Sequence, residues 1–188
     1  MNRTVLALIE AEYRRYKLLG ERAFSQLDAE HLVAGSEHAI SIATIVWHVA
    51  GNLESRFTDF LTTDGEKPWR DRESEFEPRE ASPDEIAAKW DRGWGVLLNT
   101  LSQLTDDDLT SEVAVRRVPH RVDEALLRSL AHAAYHVGQI VYLAKSFRGE
   151  DWKYLSIPPG QSEAYNENPT LEKSLTYVEN VEKTQEER

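Results

Sequence analysis

The feature that most constrains this chain is the recurrence of apolar residues at steps of three and four through long segments, the spacing that gathers them on one side of an α-helix. In the first segment, from about Arg3 to Gln26, Val5, Leu8, Ile9, Tyr13, Tyr16, Leu19 and Phe24 follow it. In the second, SIATIVWHVAGNLESRFTDFLTT, Ile42, Ile45, Val46, Val49, Leu53, Phe57, Phe60 and Leu61 repeat it, predicting a helix that ends near Gly65. A third helix is expected to run to about Leu104, opened by Ser82 as N-cap, Pro83 at the first helical position and Glu85 completing a capping box. A fourth is expected from near Asp123, with Leu126, Leu130, Ala133, Val137, Ile140, Val141 and Ala144 as its core stripe. Leu171 to Val181 predicts a short C-terminal helix, and the tail EKTQEER is expected to fray.

The fold class expected is all-α: an antiparallel four-helix bundle with a long connection between its second and third helices and a short C-terminal helical extension. That connection, GEKPWRDRESEFEPREASP, holds three prolines and no periodicity, and is long enough to cover part of a pocket. TSEVAVRRVPH alternates briefly and fits either a short extended segment or a loop. One domain is expected over 1–188, with a core bundle at 3–148 and an extension at 149–188. A chain of 188 residues can remove roughly 70% of its unfolded surface from water, enough for an ordinary core.

Composition narrows the chemistry. There is no cysteine, hence no disulfide, thiolate metal site or cysteine nucleophile. The 22 Lys and Arg against 33 Asp and Glu leave a net charge of −11, which repels phosphate backbones and anionic lipid; no basic patch is visible, so no nucleic-acid or membrane partner is expected. No apolar run approaches the roughly 18 residues that span a bilayer, and a cytoplasmic, soluble protein is expected.

Beside the core stripe of the fourth helix runs a second stripe, Ser129, His132, His136 and Gln139. A solvent-facing line more usually carries Lys or Glu, whereas this one carries neutral groups able to coordinate or hydrogen-bond. Imidazoles at i and i+4 share one side of a helix, close enough to bind one ion. On the second helix His48 lies among Ile45 and Val49, with Asn52 one turn later. Three imidazoles from facing helices suit zinc, nickel, iron or copper and leave a coordination position open. The alternative is that the helical pair are core-edge histidines hydrogen-bonded to neighbours.

The stretches SIATIVWHVAGN, TTDGEKPW, LAHAAYHVGQI and WKYLSIPPGQS resemble the DinB superfamily, in particular a bacterial subfamily of unassigned function, over most of the chain. The resemblance implies a four-helix bundle, a single DinB-like domain, a homodimer, and a divalent metal on three histidines, which fall by motif on His48, His132 and His136. Zinc or nickel is the expected ion, with iron or manganese as further candidates. Characterised members of that superfamily include enzymes that use low-molecular-weight thiols such as bacillithiol or mycothiol for isomerisation or S-transfer. The resemblance thus implies a metal-dependent, transferase-like enzyme acting on a small electrophile, with bacillithiol, mycothiol or glutathione as possible thiol. Metal-assisted hydrolysis and a non-catalytic metal- or ligand-binding stress-response role are the alternatives. No glutamate stands beside the histidines in the manner of H-E-x-x-H, which weakens hydrolysis.

Asn52, Tyr135 and Gln139 are candidates to hold a ligand's second nitrogen or to contact substrate, while no catalytic residue is assigned. Arg56, Arg70 and Arg72 are candidates for an anionic substrate or for a solvated surface. His31, His38 and His120 are expected to be solvated or local caps. Trp47, Trp90 and Trp94 are expected in the core, and Ala134 and Gly138 at a close helix contact.

Overall fold

A computed structural model describes residues 2–35 and 40–186; His38 lies outside the described residues. The chain forms the expected all-α bundle from α1 (Thr4–Phe24), α3 (Ile42–Phe57), α4 (Pro83–Gln103) and α5 (Val122–Arg148). Around it stand the short α2 (Ala29–Val33) and α6 (Ser162–Glu167), α7 (Ser174–Glu186), and a hairpin of β1 (Glu112–Val115) and β2 (Val118–Arg121). Among the described residues no helix is long and apolar enough to cross a membrane.

Caps set the helix starts. The Ser41 hydroxyl accepts the Thr44 N–H at 3.1 Å to open α3, and Ser82 and Glu85 form the predicted reciprocal box at the start of α4. The second helix ends at Phe57, not near Gly65. Asp59 turns into the left-handed region at φ +49, where a non-glycine residue breaks the helical ladder; Phe60 still reaches the core, while Leu61 is exposed. On α1 the periodicity misassigned two positions: Val5 and Leu8 are about half exposed and Leu6 is buried instead. The segment left open between strand and loop is the two-stranded hairpin. The last helix starts at Ser174 and runs on through most of the tail expected to fray, and α6 was not anticipated.

Direction follows from the contacts. Thr100 donates to the Phe57 carbonyl at 2.8 Å while Gly93 lies against Ala50, each seven residues earlier in its helix, so α3 and α4 run side by side in the same sense, a departure from the antiparallel arrangement expected throughout the bundle. Arg3 donates to the carbonyls of Leu101 and Leu104, and Gly20 abuts Trp90, so α1 opposes α4. Parallel neighbours need a connection that returns along their whole length, which is the physical role of residues 58–82. A Cβ on Gly93 would sit 2.5 Å from the Ala50 Cα, so the two backbones approach as only glycine allows. The close contact expected at Gly138 does not exist: that glycine is exposed with nothing near its Cβ position.

The core between the helices is aromatic at its centre. Trp90 and Trp94 are fully buried, Tyr13 meets Trp94 and Phe57 edge-on at 6.2 and 6.4 Å, and its hydroxyl donates to the Leu126 carbonyl at 2.8 Å. Trp47 is instead half-buried beneath the Arg79 guanidinium. In the extension, α7 lies on α1, where Arg15 covers the buried Tyr177 ring.

Candidate metal centre

Packing of α3 against α5 faces His48 toward His132 and His136. His48 lies on the buried side of α3, and its Nε2 is 3.2 Å from His132 Nε2; His136 Nε2 is also 3.2 Å from His132 Nε2. One nitrogen from each of the three lies within 4.8 Å of the others, a group that could hold a metal ion.

Protons decide whether such a cluster suits an ion. His48 Nδ1 is 2.9 Å from the Glu75 carboxylate and His136 Nδ1 is 2.8 Å from the Gln139 side-chain oxygen. Both acceptors require a proton on Nδ1, so each neutral ring presents a bare lone pair at Nε2. His132 has at most one Nε2 proton to offer these two lone pairs, leaving one without a donor. A cation resolves that deficit. Two nitrogens each about 2.0 Å from a tetrahedral ion lie about 3.3 Å apart, close to the 3.2 Å that separates His132 Nε2 from each of the other two.

Electrostatics favours the neutral, ligating form of the two histidines on α5. Burial, then the neighbouring His136 and His48 and the Arg70 and Arg56 guanidiniums, push His132 down to about 3. Burial also lowers His136, opposed in part by the bond to Gln139. Glu75 would be raised by burial, but hydrogen bonds from His48 and Arg70 outweigh it and hold the carboxyl below its ordinary range. The ion pair is bidentate, Arg70 Nε and Nη2 at 2.8 and 2.9 Å, and both side chains are almost fully buried.

The long connection supplies this support. A 3-10 turn at Ser74–Phe76 lies on α3, stacking Phe76 on His48 at 4.6 Å between centroids and setting Glu75 against Gly51. A Cβ on Gly51 would fall 2.3 Å from the Glu75 carboxylate oxygen. Gly51→Ala is therefore expected to displace the carboxylate from His48 and weaken metal affinity about 10–100-fold, while the gain in helix propensity limits the stability change. A chelator-competition titration beside a thermal melt checks this; unchanged affinity would mean that Glu75 does not orient His48.

A cavity of about 450 Å³ opens beside the trio, lined by His48 and His132, the apolar side chains of Phe57, Phe60, Val115 and Val118, and several arginines. Asn52 lines it too, yet the second nitrogen of His48 belongs to Glu75. Gln139 holds His136, whereas Tyr135 is 64% exposed with its ring edge-on to His136 at 4.9 Å. His120 is not a solvated cap: it is half-buried on the cavity wall, Nδ1 3.2 Å from the Glu124 carboxylate. His31 sits on α2, stacked against Phe147. Arg56, Arg70 and Arg72 all reach the cavity.

Glu75 and Gly51 escaped the sequence reading. Glu75 is one acid among many in an aperiodic stretch, and the only signal was the lone apolar Phe76 beside it. No curated protein matches the chain. A family model covers everything from α1 through α5, including all three histidines, and stops short of α6. The chain belongs to the family described as "Protein of unknown function (DUF1572)", whose model matches residues 1–161.

Proposed function

We propose that the chain is a metal-dependent enzyme of DinB type, in which His48, His132 and His136 hold one divalent ion, zinc or nickel before iron or manganese. The reaction proposed is transfer or isomerisation of a small electrophile with a low-molecular-weight thiol of the bacillithiol, mycothiol or glutathione kind. The observation that carries it is a three-histidine group bordering a cavity whose lining, among the described residues, includes no Asp or Glu. A divalent ion supplies Lewis acidity, lowering the pKa of a thiol or water at its open position. A thiol, already acidic, needs no carboxylate base beside it; a water nucleophile generally does.

The chain's own groups serve that chemistry in three ways. Glu75 and Gln139 hold His48 and His136 with Nδ1 protonated, so that each Nε2 lone pair is left for the ion beside His132. Phe57, Phe60, Val115 and Val118 form an apolar wall that limits water around a thiolate. Glu75 is unavailable as a base because both oxygens are held by Arg70 and one also by His48.

Hydrolysis is the second reading, and His120 with Glu124 is the observation in its favour, an imidazole outside the trio on the cavity wall. The deciding experiment uses cobalt-substituted protein. Addition of bacillithiol, mycothiol or glutathione is expected to shift the cobalt absorption bands and support conjugation of chlorodinitrobenzene. If no thiol perturbs the bands, the thiol reading is lost; turnover of an ester or lactone panel without thiol, abolished in His120→Ala, would establish hydrolysis. Metal removal that changes only thermal stability would point to the non-catalytic role.

The reading includes a homodimer, supported by the exposed Leu127, Tyr135 and Tyr142 along one side of α5. A monomeric mass in sedimentation would remove that element.

A further inference from the structure

The chain carries a net charge of −11, yet the cavity beside the histidines is lined by Arg56, Arg70, Arg72, Arg116 and Arg128. The absence of any basic patch in the sequence is corrected here, because the five arginines come from α3, the long connection, the hairpin turn and α5. Carboxylates offset part of the charge. Glu75 takes Arg70, Glu66 takes Arg56 and Arg116 at 3.0 and 3.1 Å, and Glu73 takes Arg72 on the exposed rim. Arg128 has no ion pair among the described residues. Among the described residues that line the cavity five are arginines and none is Asp or Glu; the carboxylates that offset them, Glu66, Glu73, Glu75, Asp64 and Glu124, stand behind that lining, so the surface offered to a ligand is cationic inside an acidic molecule.

A separate observation concerns the backbone. The two-residue turn between β1 and β2 is Arg116–Arg117, with φ of +56 and +63. Both values lie in the left-handed region, where this kind of turn ordinarily uses Asn and Gly. The turn is held by Asp64, whose carboxylate accepts the Arg116 and Arg117 N–H groups at 2.8 and 2.7 Å, and by the Gly65 N–H donating to Ala114 at 2.8 Å. Residues held in sparsely populated backbone regions cluster at functional sites. The first of this pair places its guanidinium on the cavity wall.

We infer that the cavity binds a small molecule through an oxyanion, carboxylate or phosphate, gripped by Arg128 and Arg116, with the remainder of the molecule directed toward His132. A planar fork of N–H donors suits either oxyanion bidentately, and about 450 Å³ is the size of a small-metabolite site. This deepens the proposed function, on which it rests only for what happens at the molecule's other end. The substrate, or the thiol, is then an acid or a phosphate ester rather than a neutral compound.

The test reads the arginines directly, by NMR titration of their Nε–H signals in the full chain after a chelator has removed any metal, so that an ion cannot be the receptor. The probes are succinate, methyl phosphate and neutral 1,4-butanediol. Succinate or methyl phosphate is expected to shift the Arg128 and Arg116 signals saturably, the stronger of the two naming the oxyanion, and butanediol to shift neither. Arg128→Ala and Arg116→Gly are each expected to weaken binding at least tenfold. Arg116→Gly separates binding from folding, because glycine accepts φ +56 and thermal stability should hold or rise as affinity falls. Absence of saturable shifts with both anions, or affinity unchanged in both variants, overturns the inference. Metal content, measured separately on protein before chelation, reports on the three-histidine reading alone.

Discussion

Elemental analysis of untagged protein purified without added metal is expected to find close to one divalent ion per chain, and background levels in His132→Ala. His132 Nε2 is the nitrogen 3.2 Å from both of the others, so its removal takes away the central ligand and leaves only two imidazoles for the ion. A second readout separates a ligand from a core histidine. Were His132 only a hydrogen-bonded core-edge residue, its removal would destabilise the protein equally with and without metal. As a ligand, its removal costs stability chiefly when metal is present, because an ion at a hundred times its dissociation constant contributes about 2.7 kcal/mol to the folded state. Thermal melts of wild type and variant, each with and without chelator, should therefore differ far more in the metal-loaded pair. Wild-type protein that remains metal-free after reconstitution with zinc and nickel would overturn the metal centre.

Trp94→Ala is expected to cost about 3–5 kcal/mol in equilibrium unfolding, the loss found when a large aromatic side chain is removed from a core that cannot collapse around the gap. Trp94 is completely buried, its ring 5.2 Å from Trp90 and 6.2 Å from Tyr13. Against a typical domain stability of about 5–15 kcal/mol, that is a large fraction of the total. Its indole N–H has no hydrogen-bond partner among the described residues. Trp94→Phe, which keeps an aromatic ring and deletes the unpaired donor, should therefore cost distinctly less. Urea denaturation of both variants measures the difference; an alanine cost below about 1 kcal/mol would mean that the helices close over the space. The trio should be intact in whatever fraction stays folded, since Trp94 does not line the cavity.

How much of this was legible beforehand depends on how local each feature is. The four bundle helices were, because a helix reports itself through spacing along the chain. His132 and His136 were paired for the same reason: four residues apart on any helix places them side by side. The box at Ser82 and Glu85 is equally local, and it forms as its spacing predicts. Errors fell where a local rule met a tertiary decision. Val5 and Leu8 match the helical period yet lie outside the interface that α1 makes, and Leu61 continues a pattern after Asp59 has already ended the helix.

Local pattern along the chain specifies the amphipathic helices, their caps and the presence of three imidazoles on inward-facing helical positions. The tertiary structure alone decided that α3 and α4 run in parallel, that Glu75 and Arg70 close over His48, that His120 reaches the cavity, and that scattered arginines meet on one wall. The physical reason is that periodicity encodes which side of a helix is buried but carries no record of what an aperiodic segment touches. Residues 58–82 and the hairpin owe their positions to ion pairs, a 3-10 turn and left-handed residues, whose partners lie far away along the chain and become neighbours only when the bundle has formed.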